Sequence, residues 1–178
     1  MTNYYTLGLN FLHSDSSACL FKNNILLAAS EEERFTRVKH TSNFPTESIK
    51  FCLKEANINI SNLDLVTINS NPFSGIISKI FYTLGNISAI KIAFNSLLNT
   101  KKKLNLSKLI SEIDRKEKFK GKIEFVDHHE AHIASSLYFS NFLECANLSI
   151  DGFGDFASCA YGIYESNKLK IDYKVNFP

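Results

Sequence analysis

Two stretches of this chain open in the same way, and that repetition limits the folds available to it. Tyr4 to Asn10 is an aromatic and apolar run that leads into the small polar loop His13-Ser14-Asp15-Ser16-Ser17. Ala18 to Phe21 then starts a hairpin with Ile25 to Ala29 around Asn23-Asn24. Asparagines tolerate left-handed turn backbone, so residues 18 to 29 read as two antiparallel strands. Far downstream, Ala146 to Ile150 is again a strand that delivers a small loop, Asp151-Gly152-Phe153-Gly154-Asp155. Two more strands follow, Ala157 to Tyr164 and Leu169 to Val175, around the turn Glu165-Ser166-Asn167. A strand feeding a polar loop and then a hairpin, used twice, predicts a duplicated α/β unit. The second copy has its opening meander and no following helix.

The residues between these openings complete the first unit. Asn43-Phe44-Pro45-Thr46 starts a helix on which Ile49, Leu53 and Ala56 recur at helical spacing, and it fades at Asn57. Leu63 to Asn69 reads as a buried strand that ends in the turn Ser70-Asn71-Pro72. Residues 74 to 120 carry no strand-like run and predict two or three helices, apolar at first and basic later. The most apolar stretch, Ile76 to Leu98, is broken by Lys79, Asn86, Lys91 and Asn95, which suits an amphipathic helix pair and not a membrane span. Lys122 to Val126 alternates as a strand, and a helix covers Glu130 to Phe139. The expected division is a first unit over residues 1–145, with a helical insertion over 74–120, and the start of a second unit over 146–178.

Composition excludes several classes. The chain's 178 residues, 44% hydrophobic and 21% charged, suffice for a real core and exclude a disordered protein. Twenty basic against 18 acidic residues leave a net charge of +2, so the whole chain has no need of nucleic acid or a membrane surface. Locally, Lys101-Lys102-Lys103, Lys108, Arg115, Lys116, Lys118 and Lys120 are basic. Glu112, Asp114 and Glu117 are interleaved and no aromatic stacking pattern accompanies them, which favours a solvated helix face over an RNA contact. Cys19, Cys52, Cys145 and Cys159 form no Cys-x-x-Cys pair and read as reduced core thiols. No signal-peptide pattern opens the chain, so the expected compartment is the cytoplasm.

The chemistry concentrates in Val126 to Ser136 and in the glycine run after it. His128 and His132 are four apart, one turn of a helix, and so face the same side at a spacing that suits one first-row divalent ion. Asp151 would add an oxygen ligand. The alternative is two partly buried histidines at a helix start. Glu130 stands two places after His128, so the zinc-protease pattern His-Glu-x-x-His is absent. Gly152 and Gly154 read either as a plain β turn or as a turn whose amides approach an anion. His13 and Asp15 lie in the equivalent loop of the first unit, where a histidine titrating near neutrality can act as a base. The charged run Glu31 to His40 reads either as a solvated turn or as a basic patch, Arg34, Arg37, Lys39 and His40, that faces an anion.

Taken together, these residues resemble a known family. Gly8-Leu9-Asn10 with His13, Asp15, Ser16, Ser17 and Ala18, the block Glu31-Glu32-Glu33-Arg34-Phe35-Thr36-Arg37-Val38-Lys39-His40, Phe44-Pro45, His128-His129 with His132 and Ala134, and Ile150-Asp151-Gly152 with Gly154 are similar to motifs of the O-carbamoyltransferases of nodulation-factor and antibiotic biosynthesis. The resemblance implies an α/β fold of the ribonuclease-H-like, actin-like ATPase (ASKHA) type, related to the tRNA threonylcarbamoyl transferases. It implies an iron-type divalent metal, Fe²⁺ or similar, on His128, His132 and Asp151, with His13 near the transferred group. His129, Gly152, Gly154, Arg37 and Lys39 would lie on the nucleotide side. In such enzymes a YrdC-like domain makes carbamoyladenylate from ATP and carbamoyl phosphate, and the N-terminal domain passes the carbamoyl group to a hydroxyl of a small-molecule acceptor. Family members run several times longer and carry a further carboxylate ligand. The expectation is therefore an incomplete enzyme part, inactive alone. The alternative is a non-catalytic metal- and nucleotide-binding module that completes a site with another chain.

Overall fold

A computed structural model describes residues 3–85, 100–101, 105–114 and 116–176. In chain order these form strands β1 (Tyr5–Asn10), β2 (Ser17–Lys22) and β3 (Ile25–Glu31), then a one-turn helix α1 (Glu33–Thr36) and helix α2 (Thr46–Glu55). A 3₁₀ turn (Ile60–Asn62) leads to β4 (Leu65–Ile68), α3 (Ile76–Gly85), α4 (Leu106–Ile113) and β5 (Lys122–Phe125). Helix α5 (His128–Tyr138) and strands β6 (Cys145–Gly154), β7 (Ala157–Glu165) and β8 (Lys168–Asn176) follow. Of the helices expected over 74–120, α3 and α4 are present, and residues 86–99 and 102–104 lie outside the described residues. Among the described residues no helix is long and apolar enough to cross a membrane.

The described residues pack as two units, one within Met1–Asn69 and Asn99–Phe125, the other within Ser70–Leu98 and Val126–Pro178. In the first, a five-stranded mixed sheet has the order β3-β2-β1-β4-β5. Strands β1 to β3 are antiparallel neighbours, with Leu7 opposite Leu20, because Asn23 and Asn24 take φ of 49° and 68° and close a two-residue turn. Strands β4 and β5 run parallel to β1, an arrangement that needs a crossover, and α2 lies on the connection from β3 to β4. Alternation sends Leu7 and Leu9 of β1 and Val66 and Ile68 of β4 into one core. There they meet Ile49, Cys52 and Leu53 of α2 and Leu106 and Ile110 of α4.

Glu32 holds α2 in place. The helix begins at Pro45 without a side-chain cap of its own, which leaves its first amides needing acceptors. Glu32 is 4% exposed, and its carboxylate accepts from Glu47 N at 3.1 Å and Ser48 N at 2.8 Å. One residue of the charged run therefore points inward as a remote helix cap. Arg34, Arg37 and Lys39 stay exposed.

In the second unit, β6-β7-β8 form an antiparallel sheet, the expected meander. The structure corrects the glycine turn at 151–155. Strand β6 runs on through Gly154, and the hairpin turn is Asp155-Phe156, at φ 50° and 68°. Neither Gly152 nor Gly154 has a left-handed φ. Within this unit α5 packs on β6. One face of the sheet exposes Leu148, Ile150, Tyr161 and Tyr173.

Candidate metal centre

Local sequence explains how the two histidines come to share a face. Asp127 is the N-cap of α5, and its side chain accepts from His129 N at 3.2 Å, so helical geometry begins at His128. Positions 128 and 132 then stack one turn apart. The Nε2 atoms of His128 and His132 face each other at 3.1 Å. Strand β6 brings Asp151 alongside, with Oδ2 2.7 Å from His128 Nε2 and 3.8 Å from His132 Nε2. These three ligand atoms lie within 4.8 Å of one another.

The geometry fits a divalent ion. Ligand atoms at bond lengths of 2.0–2.1 Å around one ion stand about 3.0–3.4 Å apart, close to the spacings seen here. A cation between the two Nε2 atoms, or a proton carried by one of them, accounts for their close approach. The electrostatics favour the metal-binding protonation states. Hydrogen bonding to His128 holds the Asp151 carboxyl below the usual carboxylate range. Burial first, and His128 second, push His132 below an ordinary histidine and so favour its neutral form.

The surroundings of α5 were not legible in the sequence. Asp127 Oδ2 accepts from Ser74 Oγ at 2.8 Å and lies 2.8 Å from Lys174 Nζ, which is also 3.6 Å from Glu130 Oε1. Burial alone would raise the Asp127 carboxyl, yet Lys174, Ser74 and the His129 amide outweigh it and hold it below its ordinary value. His129 is fully buried, with Nδ1 2.9 Å from Ser149 Oγ on β6. Gly154 passes so close to His128 that a Cβ there would overlap the imidazole ring. Gly152 has open space where a Cβ would go. A further carboxylate, Asp155, accepts from the His128 amide. The one cue to it in the sequence was its place at the end of the Asp-Gly-x-Gly-Asp run.

His13 and Asp15 belong to the first unit, with Arg37 and Lys39. His13 is half-buried in the bend after β1. The loop is pinned from Leu12 N to Ser42 O at 3.0 Å and from Ser16 N to Thr41 O at 2.9 Å, while Asn10 Nδ2 donates to Asp15 O at 2.9 Å. Asp15 takes φ 63°, and its carboxylate lies 2.9 Å from His40 Nδ1. An acid within the chain thus faces His40. Arg37, at the end of α1 with φ 60°, and Lys39 are exposed.

The chain is 32% identical to the uncharacterized protein sll1178 of Synechocystis sp. over 181 residues, which cover 98% of this chain and 29% of that one. It is 29% identical to the nodulation protein NolNO of Sinorhizobium fredii over 170 residues, 94% of this chain and 24% of that one. The chain thus spans 24–29% of the length of these relatives. Among solved structures, YeaZ from Pseudomonas aeruginosa superposes with a TM-score of 0.51 at 14% identity, over 98% of this chain and 67% of that one. That likeness, together with the mixed β3-β2-β1-β4-β5 sheet, shows the α/β actin-like ATPase fold. Residues 5–178 match the Carbamoyltransferase N-terminus family, and the chain belongs to it.

Proposed function

We propose that this chain is the N-terminal part of a carbamoyltransferase that moves a carbamoyl group from carbamoyladenylate to a hydroxyl of a small-molecule acceptor. The observation that carries the reading is the convergence of His128 Nε2, His132 Nε2 and Asp151 Oδ2 in a chain of this family. A divalent ion bound there supplies Lewis acidity toward phosphate and carbamoyl oxygens. The chain's own residues do the rest. His132 and Asp151 offer ligand atoms in their metal-binding protonation states. Gly152, Gly154 and His129 lie beside these ligands, and Arg37 and Lys39 are exposed positive charges of the first unit, of the kind an anionic nucleotide would need. His13 accepts the hydroxyl proton as the acceptor oxygen adds to the carbamoyl carbon and the adenylate phosphate leaves, a base role worth about 10²–10⁴-fold. Asp15 sits in the same loop and pairs with His40.

The relatives' greater length supports assigning carbamoyladenylate synthesis to sequence outside these residues, in a YrdC-like domain. Two measurements test the reading. Elemental analysis after loading with Fe²⁺ is expected to give one equivalent of metal, lost in the His128→Ala/His132→Ala double variant. Unchanged metal content in that variant would count decisively against the centre. The 178-residue chain alone is expected to consume neither ATP nor carbamoyl phosphate, and sustained turnover would sink the division of labour. The same coverage favours a second reading, a non-catalytic metal- and nucleotide-binding module that works with another chain. Carbamoyl transfer that depends on His13 in the completed protein would rule that reading out.

A further inference from the structure

The carboxylate of Asp155 collects three donors from two other segments. Its Oδ1 accepts from Ser70 Oγ at 2.5 Å, and its Oδ2 accepts from Asn71 N at 2.7 Å and from His128 N at 2.9 Å. His128 N is among the first amides of α5, which the helix itself cannot satisfy. Asp127 takes the next amide, so two carboxylates share the start of the helix. The neighbouring residues act on the same histidine. Gly154 leaves room for its ring, and Asp151 meets its Nε2. Three residues of one hairpin, Asp155, Gly154 and Asp151, therefore contact the backbone, the ring and the ligand atom of His128.

A turn position alone does not call for this carboxylate. Asp155 takes φ 50°, where glycine or asparagine would serve the hairpin as well or better. The three donors that converge on it match a carboxylate acting as acceptor. We infer that Asp155 is a positioning residue for the His128–His132–Asp151 centre: it fixes the helix bearing both histidines against the strand bearing the carboxylate, and ties the Ser70-Asn71 segment to them. The inference rests on the metal-centre reading above. Outer partners of this kind typically change metal affinity 10–100-fold when removed.

The test uses Co²⁺ titration of the 178-residue chain, read by its visible d–d absorption. Asp155→Gly removes the carboxylate and keeps the left-handed turn, so far-UV circular dichroism is expected to match the parent. Its Co²⁺ affinity is expected to fall at least tenfold, with altered band positions as the ligands lose their relative placement. Asp155→Asn presents its carbonyl oxygen to both amides and its NH₂ to Ser70 Oγ, and is expected to restore affinity to within about threefold. Should Asp155→Gly not fold, Asp155→Ser takes its place with the same expected loss. A folded variant that binds Co²⁺ with parental affinity and spectrum overturns the inference while leaving the centre intact. Failure of the parent chain itself to bind Co²⁺ overturns the centre, and the inference with it.

Discussion

Gly152 and Gly154 are two glycines in one strand with different physical demands on them. A methyl group at 154 would occupy the space of the His128 ring, whereas one at 152 meets nothing within 4 Å. Gly154→Ala is therefore expected to displace His128 and lower metal affinity by an order of magnitude or more, with Gly152→Ala near parental. Isothermal titration with Co²⁺ on both variants checks this, and equal affinities would show that the ring is not held by that close approach. Spacing alone marked both glycines as permissive backbone. It took the tertiary position of α5 to show that one is needed for clearance. His128 and His132 were legible because a four-residue interval carries its own geometry on any helix. Asp155 was not, since its partners lie at 70, 71 and 128 and no local pattern connects them.

At the level of elements, the run Glu31 to His40 shows how charge pattern can mislead about burial. Its density of charge suggested a solvated or anion-facing patch, and most of it is exposed. Glu32 alone turns inward, because α2 starts at a proline with no capping side chain and its amides need an acceptor. Glu32→Ala leaves two amides of α2 without a charged partner and is expected to destabilise the chain by about 2–4 kcal/mol. Glu31→Ala, which removes only exposed pairing with Arg34, is expected to cost under about 1 kcal/mol. Urea unfolding of the two variants distinguishes them, and equal midpoints would dismiss the remote cap. The hairpins were legible for the opposite reason. Asn23-Asn24 and Ser166-Asn167 carry their turn preference locally, and both pairs take left-handed φ.

For the molecule as a whole, the buried thiol of Cys52 links stability to alkaline pH. Its Sγ lies among the core residues of the first unit, 3.6 Å from Ala18 O, and burial pushes the thiol up to about 12. The folded chain thus holds this proton more tightly than the unfolded chain, whose thiol titrates near 9. The stabilisation is complete below pH 9 and is lost as pH rises through 12, with a limiting slope of about 1.4 kcal/mol per pH unit. Cys52→Ala is expected to flatten the fall in urea midpoint between pH 9 and 11. An unchanged pH profile would show that this thiol is not responsible. At pH 8 in native buffer, alkylation is expected to reach Cys145 and Cys159 before Cys52.

The sequence by itself determined what is local or periodic. It set the strands with alternating faces, the hairpin turns at asparagine, the helix that opens at Asn43-Phe44-Pro45-Thr46 and fades at Asn57, and the one-turn interval that pairs His128 with His132. Its motifs also carried the family. Only the tertiary structure decided that Asp151 closes on both imidazoles, that Gly154 clears the ring of one of them, and that Glu32 and Asp155 each satisfy helix amides from a distant segment. Those contacts depend on amides and rings from separate parts of the chain arriving within hydrogen-bond or van der Waals range, and no spacing along a single segment encodes that distance.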